Sequence, residues 1–269
     1  MDFEDIKDWV YDNYQLAYVV GTGVLALGVW ALWPGKRSLG ALLGGYAAVL
    51  GIGAIWEPCV DVGSSVYGKV LARGGASELK IALTFDDGPH PENTPLILGT
   101  LARLNVKATF FCVGENVKKY PDLVKRIKDE GHLLGSHTLS HRNLLSCTWG
   151  ETKRQIGGGI EALSSVLGEE PVYFRPPYGM RYPWSMWESE RLAQRAVLWS
   201  NCPRDWQLPG AEVIACRVIR RAQAGDIVLL HDGGGDRRQT AQALPKIVET
   251  LRERGFSFVR VDELEAQND

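Results

Sequence analysis

The sequence has no surplus of charge of either sign. Its 269 residues include 30 Lys and Arg against 32 Asp and Glu, which gives a formal net charge of -2. A protein that binds nucleic acid needs cationic side chains to neutralise phosphates, so this balance argues against a nucleic-acid partner. The 45% of hydrophobic and 23% of charged residues are typical of a globular protein and exclude a wholly disordered, collagen-like or coiled-coil chain.

Cysteines are few and isolated. They are odd in number and none stands in a CxxC pair, so the sequence indicates neither a disulfide scaffold nor a zinc site built from thiolates. We expect free thiols, buried or partly buried, at Cys59, Cys112, Cys147, Cys202 and Cys216.

Charged side chains are absent from two long apolar runs, residues 16–33 and 38–56. Each run has about the length that a helix needs to cross a bilayer, roughly 20 residues. The break between them is so short that two spanning helices would return antiparallel as a hairpin, and its Lys36 and Arg37 predict a cytoplasmic loop. The sequence therefore predicts an integral protein of the cytoplasmic membrane with two spans, the lipid bilayer as a partner, and the rest of the chain facing outward.

Two other interpretations of these runs stay open. A cleavable signal peptide would explain an apolar run, but the chain begins with acidic rather than basic side chains. Core helices of a globular domain would need a polar face, which neither run has. We expect an N-terminal transmembrane helical hairpin at residues 1–57, followed by a linker of small residues at 58–79.

Short apolar runs alternate with helical patterns beyond the linker, so we expect a separate domain at residues 80–269. Repetition of strand and helix produces a parallel sheet wrapped by helices, either open or closed into a barrel. The predicted strands are residues 81–85, 108–113, 132–136, 172–175, 197–200, 227–230 and 257–261. The predicted helices are residues 94–104, 122–129, 148–167, 212–222 and 240–252.

Side chains with catalytic chemistry follow the predicted strands, where the sites of parallel α/β folds lie. Asp86 and Asp87 end the first strand, His137 and His141 follow the third, and His231 ends the sixth. Two imidazoles four residues apart can grip one metal ion, and an aspartate is a common third ligand. The histidine pair alone could be a surface pair, and the aspartates alone could form a turn. Adjacent carboxylates after an apolar strand instead favour a cation between them.

Five short motifs in this part of the chain resemble those of the polysaccharide deacetylase family, the NodB-homology group or carbohydrate esterase family four. The resemblance covers about residues 80 to 261 and implies a distorted (β/α) barrel. It also implies one divalent metal ion, usually zinc, and hydrolysis of an N-acetyl or similar acyl group on an amino sugar. Cobalt, nickel or iron would suit the same ligands. The motifs are residues 84–89 (TFDDGP), 136–141 (SHTLSH), 175–178 (RPPY), 205–206 (DW) and 229–231 (LLH).

The resemblance assigns a role to each motif residue. It implies that Asp87, His137 and His141 hold the metal, that Asp86 is the catalytic base, and that His231 protonates the departing sugar nitrogen. Ionised Asp86 suits proton abstraction from water, and an imidazole suits proton donation near neutral pH.

The remaining motif residues resemble supporting groups. Arg175 would orient Asp86, and Asp205 would hold His231 and favour its protonated form. The backbone N–H of Tyr178 would stabilise the oxyanion. The expected substrate-binding residues are Pro176, Tyr178, Trp206 and Leu229, although an apolar residue such as Leu229 also suits any core.

Two features depart from the family pattern. An acidic residue is often found a few positions before the fourth motif, and this chain has Asn201 there. An aromatic-rich segment with Tyr182, Trp184, Met186 and Trp187 follows the third motif. It is either a hydrophobic patch that covers the barrel, or a platform for sugar rings or for a membrane surface.

The expected function is metal-dependent removal of N-acetyl groups from the amino sugars of an envelope polysaccharide such as peptidoglycan or a chitin-like polymer. One alternative is a deacylase or deformylase of a lipid-linked amino sugar. Another is a non-catalytic membrane scaffold with the same fold. The sequence does not indicate a protein partner.

Overall fold

The computed structural model describes Cys59, Asp61 and residues 63–265. The chain divides into two compact units, residues 1–61 and 62–269, and the architecture below belongs to the second. The predicted membrane hairpin, with helices at 16–33 and 38–56, lies outside the described residues.

The helices in the described part of the chain do not support the expected membrane localisation. Among these residues no helix combines the length and the apolar character needed to cross a bilayer. The longest, Trp149–Leu167, has 19 residues but carries ionisable side chains such as Glu151, Lys153 and Arg154. The prediction of an integral membrane protein with two spans and an outward-facing domain is therefore not retained.

A single sheet of parallel strands organises the second unit. Its strand order is β1-β6-β5-β4-β3-β2-β7, and β8 also pairs with β2. The strands are β1 Val70–Leu71, β2 Lys80–Asp86, β3 Thr109–Cys112, β4 Leu133–Ser136, β5 Tyr173–Phe174, β6 Arg195–Val197, β7 Asp226–His231 and β8 Ser257–Val259. Backbone contacts between Asn201 and Val228 bring the segment after β6 back to β7, so the sheet curves towards closure. The predicted α/β fold of parallel strands is confirmed.

Helices cover the outside of the sheet. Short 3-10 turns lie in the loops at Leu144–Ser146, Pro177–Gly179 and Asp205–Gln207. The helices are α1 Asn93–Arg103, α2 Gly114–Lys119, α3 Pro121–Asp129, α4 Trp149–Leu167, α5 Pro183–Arg191, α6 Ala211–Arg221, α7 Arg238–Glu253 and α8 Val261–Glu265.

Strand β2 pairs with three other strands. It pairs with β7 along one side, and on the other side with β8 at its start and β3 at its end. Because successive side chains of a strand point to opposite faces, Ile81, Leu83 and Phe85 enter the larger core, while Ala82 enters the smaller one. Thr84 and Asp86 share the face of Ala82, so the carboxylate of Asp86 projects to the inner side of the curved sheet.

The segment predicted as a linker contains part of the sheet. Its residues Val70 and Leu71 form β1 and pair with Ala196 and Val197 of β6. The bounds of 58–79 for a linker and 80–269 for a catalytic domain stay a prediction. All five cysteines are free and four of them are buried, as expected, whereas Cys216 is exposed, so the expectation of burial was wrong at that position.

Candidate active site

The carboxyl end of β2 places two aspartates side by side with different surroundings. Asp86 is paired in register with His231 of β7 and with Phe111 of β3, and its side chain is buried. Asp87 follows with a positive φ of 74°, which is rare for a residue other than glycine. Both carboxylates approach the same imidazole nitrogen, since His137 Nε2 lies 3.7 Å from Asp86 Oδ2 and 3.5 Å from Asp87 Oδ1.

Arg175 binds the carboxylate of Asp86 from inside the sheet. Its Nη1 donates to Asp86 Oδ1 at 2.6 Å and to Thr84 Oγ1 at 2.8 Å. The guanidinium is fully buried and also donates to the carbonyl oxygens of Val197 and Leu198. Burial lowers the pKa of Arg175, and the charge of Asp86 opposes that shift. This bond fixes the orientation of Asp86.

Asp87, His137 and His141 converge on one point. Asp87 Oδ1 lies 3.1 Å from His141 Nε2 and 3.5 Å from His137 Nε2. His137 Nδ1 lies 2.7 Å from the carbonyl oxygen of Arg175, so this nitrogen donates a hydrogen bond and leaves Nε2 facing Asp87. The predicted metal-ligand set is thus brought together in space.

The three ligand atoms fit a small divalent cation. They all lie within 4.8 Å of one another. Ligands bound tetrahedrally at zinc distances are about 3.3 Å apart, close to the two measured separations. Asp87 Oδ1 is buried and, among the described residues, makes no hydrogen bond. A buried carboxylate oxygen without a donor, facing two imidazole nitrogens, is the arrangement that a cation would complete.

Electrostatics keep these groups in the protonation states that a cation requires. Burial raises the pKa of Asp87, but the nearby imidazoles of His137, His141 and His231 lower it further, so the net pKa lies well below the usual value. Burial, and then His137, lowers the pKa of His141 to about 4. Near neutral pH the site therefore holds an ionised carboxylate beside a neutral His141 imidazole.

A second pair of groups, His231 and Asp205, lies at the end of β7. His231 Nδ1 donates to Asp205 Oδ1 at 2.7 Å, and the backbone N–H of His231 donates to Asp205 Oδ2 at 2.9 Å. Burial lowers the pKa of His231, but the charge and hydrogen bond of the buried Asp205 outweigh this effect and raise it above the usual value. His231 is thus suited to carry a proton at neutral pH.

The predicted substrate-binding residues divide into exposed and buried ones. The Tyr178 side chain is exposed and its ring lies 4.8 Å from that of His141. Trp206 is partly exposed, and its ring meets His231 at 5.3 Å. Pro176 is buried, and Leu229 packs in the smaller core. The binding roles of all four stay predictions.

Several supporting residues were missed by the sequence analysis. Asn116 Nδ2 donates to the carbonyl oxygen of Asp87 at 2.9 Å, and Thr240 Oγ1 donates to Asp205 Oδ2 at 2.8 Å. Gly233 approaches so closely that an added Cβ would lie 2.1 Å from the Asp87 carbonyl oxygen. The glycine run after His231 was the available signal for that approach, whereas isolated Asn and Thr residues give none.

Asp232 is a further buried acid beside the site. Its carboxylate accepts a hydrogen bond from Thr94 Oγ1 at 2.5 Å, and its N–H donates to the carbonyl oxygen of Asp86. Burial raises the pKa of Asp232 to about 7. The residue stabilises the turn after β2 from beneath.

Asn201, which departs from the family pattern, is held by hydrogen bonds within the fold. Its side-chain amide is buried and donates to the carbonyl oxygen of Val218 and to Asp226. It joins β7 to α6 rather than lying among the groups of the candidate site.

Comparisons with known proteins agree with this geometry. A family model described as polysaccharide deacetylase matches residues 73–197. A peptidoglycan-N-acetylglucosamine deacetylase from Bacillus cereus is 42% identical over 190 residues, covering 70% of this chain and 89% of that protein. The chain belongs to the polysaccharide deacetylase family. It is a polysaccharide deacetylase, a hydrolase, as the motifs predicted.

A second curated relative and a solved structure are also similar to this deacetylase. A chitooligosaccharide deacetylase from Rhizobium leguminosarum bv. trifolii is 41% identical over 197 residues, covering 69% of this chain and 92% of that protein. A crystal structure of a peptidoglycan N-acetylglucosamine deacetylase, in complex with an N-oxidanyl-benzamide, is 38% identical with a TM-score of 0.71. It covers 74% of this chain and 93% of that one, and it supports the NodB-type half-barrel. These relatives are named for peptidoglycan and for chitooligosaccharide, so they lend no support to a lipid-linked substrate or a bilayer partner.

Proposed function

We propose that this deacetylase is metal-dependent and removes N-acetyl groups from N-acetylglucosamine units of peptidoglycan. The observation that carries the proposal is the meeting of Asp87, His137 and His141 beside two proton-handling groups, Asp86 and His231. Relatives named for peptidoglycan and for chitooligosaccharide share that sugar unit, and a peptidoglycan enzyme is the relative at 42% identity. A chitin-like polymer is the second candidate substrate. We place the catalytic domain at residues 80–269.

Three residues are proposed to hold the cation: Asp87, His137 and His141. When bound, a divalent cation supplies Lewis acidity, which polarises the amide carbonyl and lowers the pKa of water. Zinc is the expected ion, and cobalt, nickel or iron would fit the same ligands.

The reaction needs one proton removed and one proton supplied. Asp86 accepts a proton from the attacking water, and Arg175 holds its carboxylate in place for that transfer. The C–N bond of the amide then breaks, and His231 donates a proton to the sugar nitrogen because an amide anion is too basic to leave. Asp205 stabilises the charged imidazole before donation.

When water adds to the acyl carbon, the carbonyl oxygen becomes an oxyanion, which needs a hydrogen-bond donor. The backbone N–H of Tyr178 is proposed for this role, since its residue adopts a positive φ of 60° next to His141. Pro176, Trp206 and Leu229 are proposed to bound the acyl pocket.

The decisive test is acyl release by the purified, metal-analysed protein. The substrates are peptidoglycan, N-acetylglucosamine oligomers and a lipid-linked amino sugar, with and without a chelator. Acetate from the polymers that disappears with the chelator and returns with zinc is the expected result. Activity that survives complete metal removal would contradict metal dependence. Release of formate would contradict the proposed acetyl group, and activity confined to the lipid-linked sugar would contradict the proposed polymer substrate.

Two variants separate metal binding from proton transfer. Asp86→Asn should keep stoichiometric metal and lose about 100-fold or more in kcat, the usual contribution of a general base. His137→Ala should lose metal and activity together. An Asp86→Asn protein with normal turnover would remove Asp86 from the mechanism.

A further inference from the structure

Three tryptophans near the candidate site are exposed. Trp149 begins α4, and Trp184 and Trp187 lie on α5, with 41%, 47% and 51% of their side chains exposed. The rings of Trp149 and Trp187 lie 5.2 Å apart with an angle of 32° between their planes. We call these three residues the indole surface.

The indole surface is built on a firmly packed support. Tyr182, just before α5, is buried, and its hydroxyl lies 2.5 Å from Thr152 Oγ1 of α4. Its ring meets Trp184 edge to face at 4.4 Å. Met186 and Ser189 supply the buried side of α5, while its two indoles remain about half exposed. Exposed tryptophans that the core does not need are typical of a binding surface.

The surface is connected to the candidate site by short contacts. Thr148 caps α4 just before Trp149, and Glu151 in the first turn binds Arg142, which follows the ligand His141. Asn143 Nδ2 lies 3.2 Å from Met180 Sδ, two residues beyond Tyr178. The loops that carry the ligand and the exposed tyrosine therefore also position the starts of α4 and α5.

We propose that the indole surface binds sugar units of the polymer next to the unit that is deacetylated. This inference rests on the proposed function. In a β-linked glucosamine polymer the ring substituents are equatorial, so each ring presents two flat faces of axial C–H groups. Indole rings offer large, flat apolar faces of matching size. A polymeric substrate also extends beyond the reacting unit, and these contacts place the surface next to the loops that carry His141 and Tyr178.

The test compares substrates of increasing length in the full chain. Trp149→Ala, Trp187→Ala and the double variant are assayed on N-acetylglucosamine oligomers from two to six units and in a pull-down on insoluble chitin. Val172→Ala is the control, because Val172 is exposed just before β5, at the opposite end of the strands. Thermal melting and light scattering check folding and oligomeric state.

We expect kcat/KM to rise with chain length in the native protein and the rise to flatten in the variants. Each variant should lose roughly three- to tenfold on the hexamer, the size of one aromatic stacking contact, and less than twofold on the shortest substrate. Chitin retention should fall in parallel, and Trp187→Tyr should recover part of it. The control should match the native protein.

Other results would overturn the inference. Equal losses of kcat/KM on every oligomer in the variants would show a structural effect. If the variants kept the native dependence on oligomer length and the native retention on chitin, the indole surface would not bind sugar. A change in oligomeric state would assign the surface to a second copy of the chain. A native protein inactive on all substrates would instead contradict the proposed function, and its chitin retention would still test the indole surface.

Discussion

His231 depends on Asp205 for its charge. The carboxylate accepts two hydrogen bonds from His231 and one from Thr240, and it is fully buried. With both oxygens engaged, Asp205 can only act through its charge and its fixed position. The proton on His231 is therefore controlled by a residue that need not touch the substrate.

Asp205→Asn should shift the pH dependence of the reaction. Asp205 raises the pKa of His231, and the proposed acid must be protonated, so activity is lost as pH rises through that raised pKa. Without the carboxylate charge the pKa of His231 falls, and the alkaline limb of kcat/KM moves to lower pH. Profiles of both proteins on one soluble oligomer check this. An alkaline limb that stays in place would show that another group donates the proton.

At this scale the sequence predicted charged groups better than neutral ones. Asp86, His137 and His231 follow apolar strands, where burying an ionisable side chain costs free energy unless it has a partner or a function. The sequence alone therefore marked them as candidate site residues. Thr84 and Thr240 look like ordinary strand and helix residues, and only the folded chain shows which hydroxyl meets Arg175 or Asp205.

A glycine of helix α4, Gly159, lies very close to the segment 136–141, which carries His137 and His141. An added Cβ at Gly159 would lie 2.6 Å from Ser136 Oγ and 2.7 Å from the carbonyl carbon of Thr138. Both atoms belong to the segment that carries His137 and His141. Two positions earlier, the space around Gly157 is open within 4 Å.

Two alanine variants on α4 should therefore have opposite effects. Gly159→Ala should destabilise the protein by about 1–3 kcal/mol, as overpacking does, and weaken zinc binding. Gly157→Ala should stabilise it by about 0.5–1 kcal/mol through helix propensity and leave zinc binding unchanged. Denaturant unfolding and zinc titration measure both. Equal effects of the two variants would exclude a specific contact between α4 and the loop.

Regular elements were predicted where the pattern is long. The strand expected at residues 81–85 and the helix expected at 148–167 occur as Lys80–Asp86 and Trp149–Leu167. Strand β1 was missed because it has two residues, too few to show the alternation of apolar and polar side chains that marks a strand in a sequence. Helix α5 was missed because exposed tryptophans obscure its amphipathic pattern.

His132 couples the stability of the whole molecule to pH. It is buried before β4, and its Nδ1 accepts a hydrogen bond from the backbone N–H of Ala108 at 3.1 Å. Burial, and then the charge of Lys107, lowers the pKa of His132 from 6.5 to about 4. As pH falls through this window the unfolded chain takes up the proton first, so acid favours unfolding.

His132→Asn should flatten the pH dependence of stability. In the native protein this histidine should cost up to about 3 kcal/mol of unfolding free energy between pH 6.5 and 4. The variant lacks that proton uptake, so its unfolding free energy should fall less over the same range. Urea unfolding at several pH values measures the difference, and parallel curves would refute the assignment.

The strands that carry the site are separated along the chain, so a ribosome synthesises β2, β3 and β4 well before β7. Asp87, His137 and His141 emerge early, with their strands β2 to β4 already adjacent in the sheet. Asp205 and His231 come later, and until β7 emerges the side of β2 from Ile81 to Asp86 lacks its partner strand. During synthesis, the three proposed cation ligands therefore leave the ribosome before the proposed acid that protonates the leaving group.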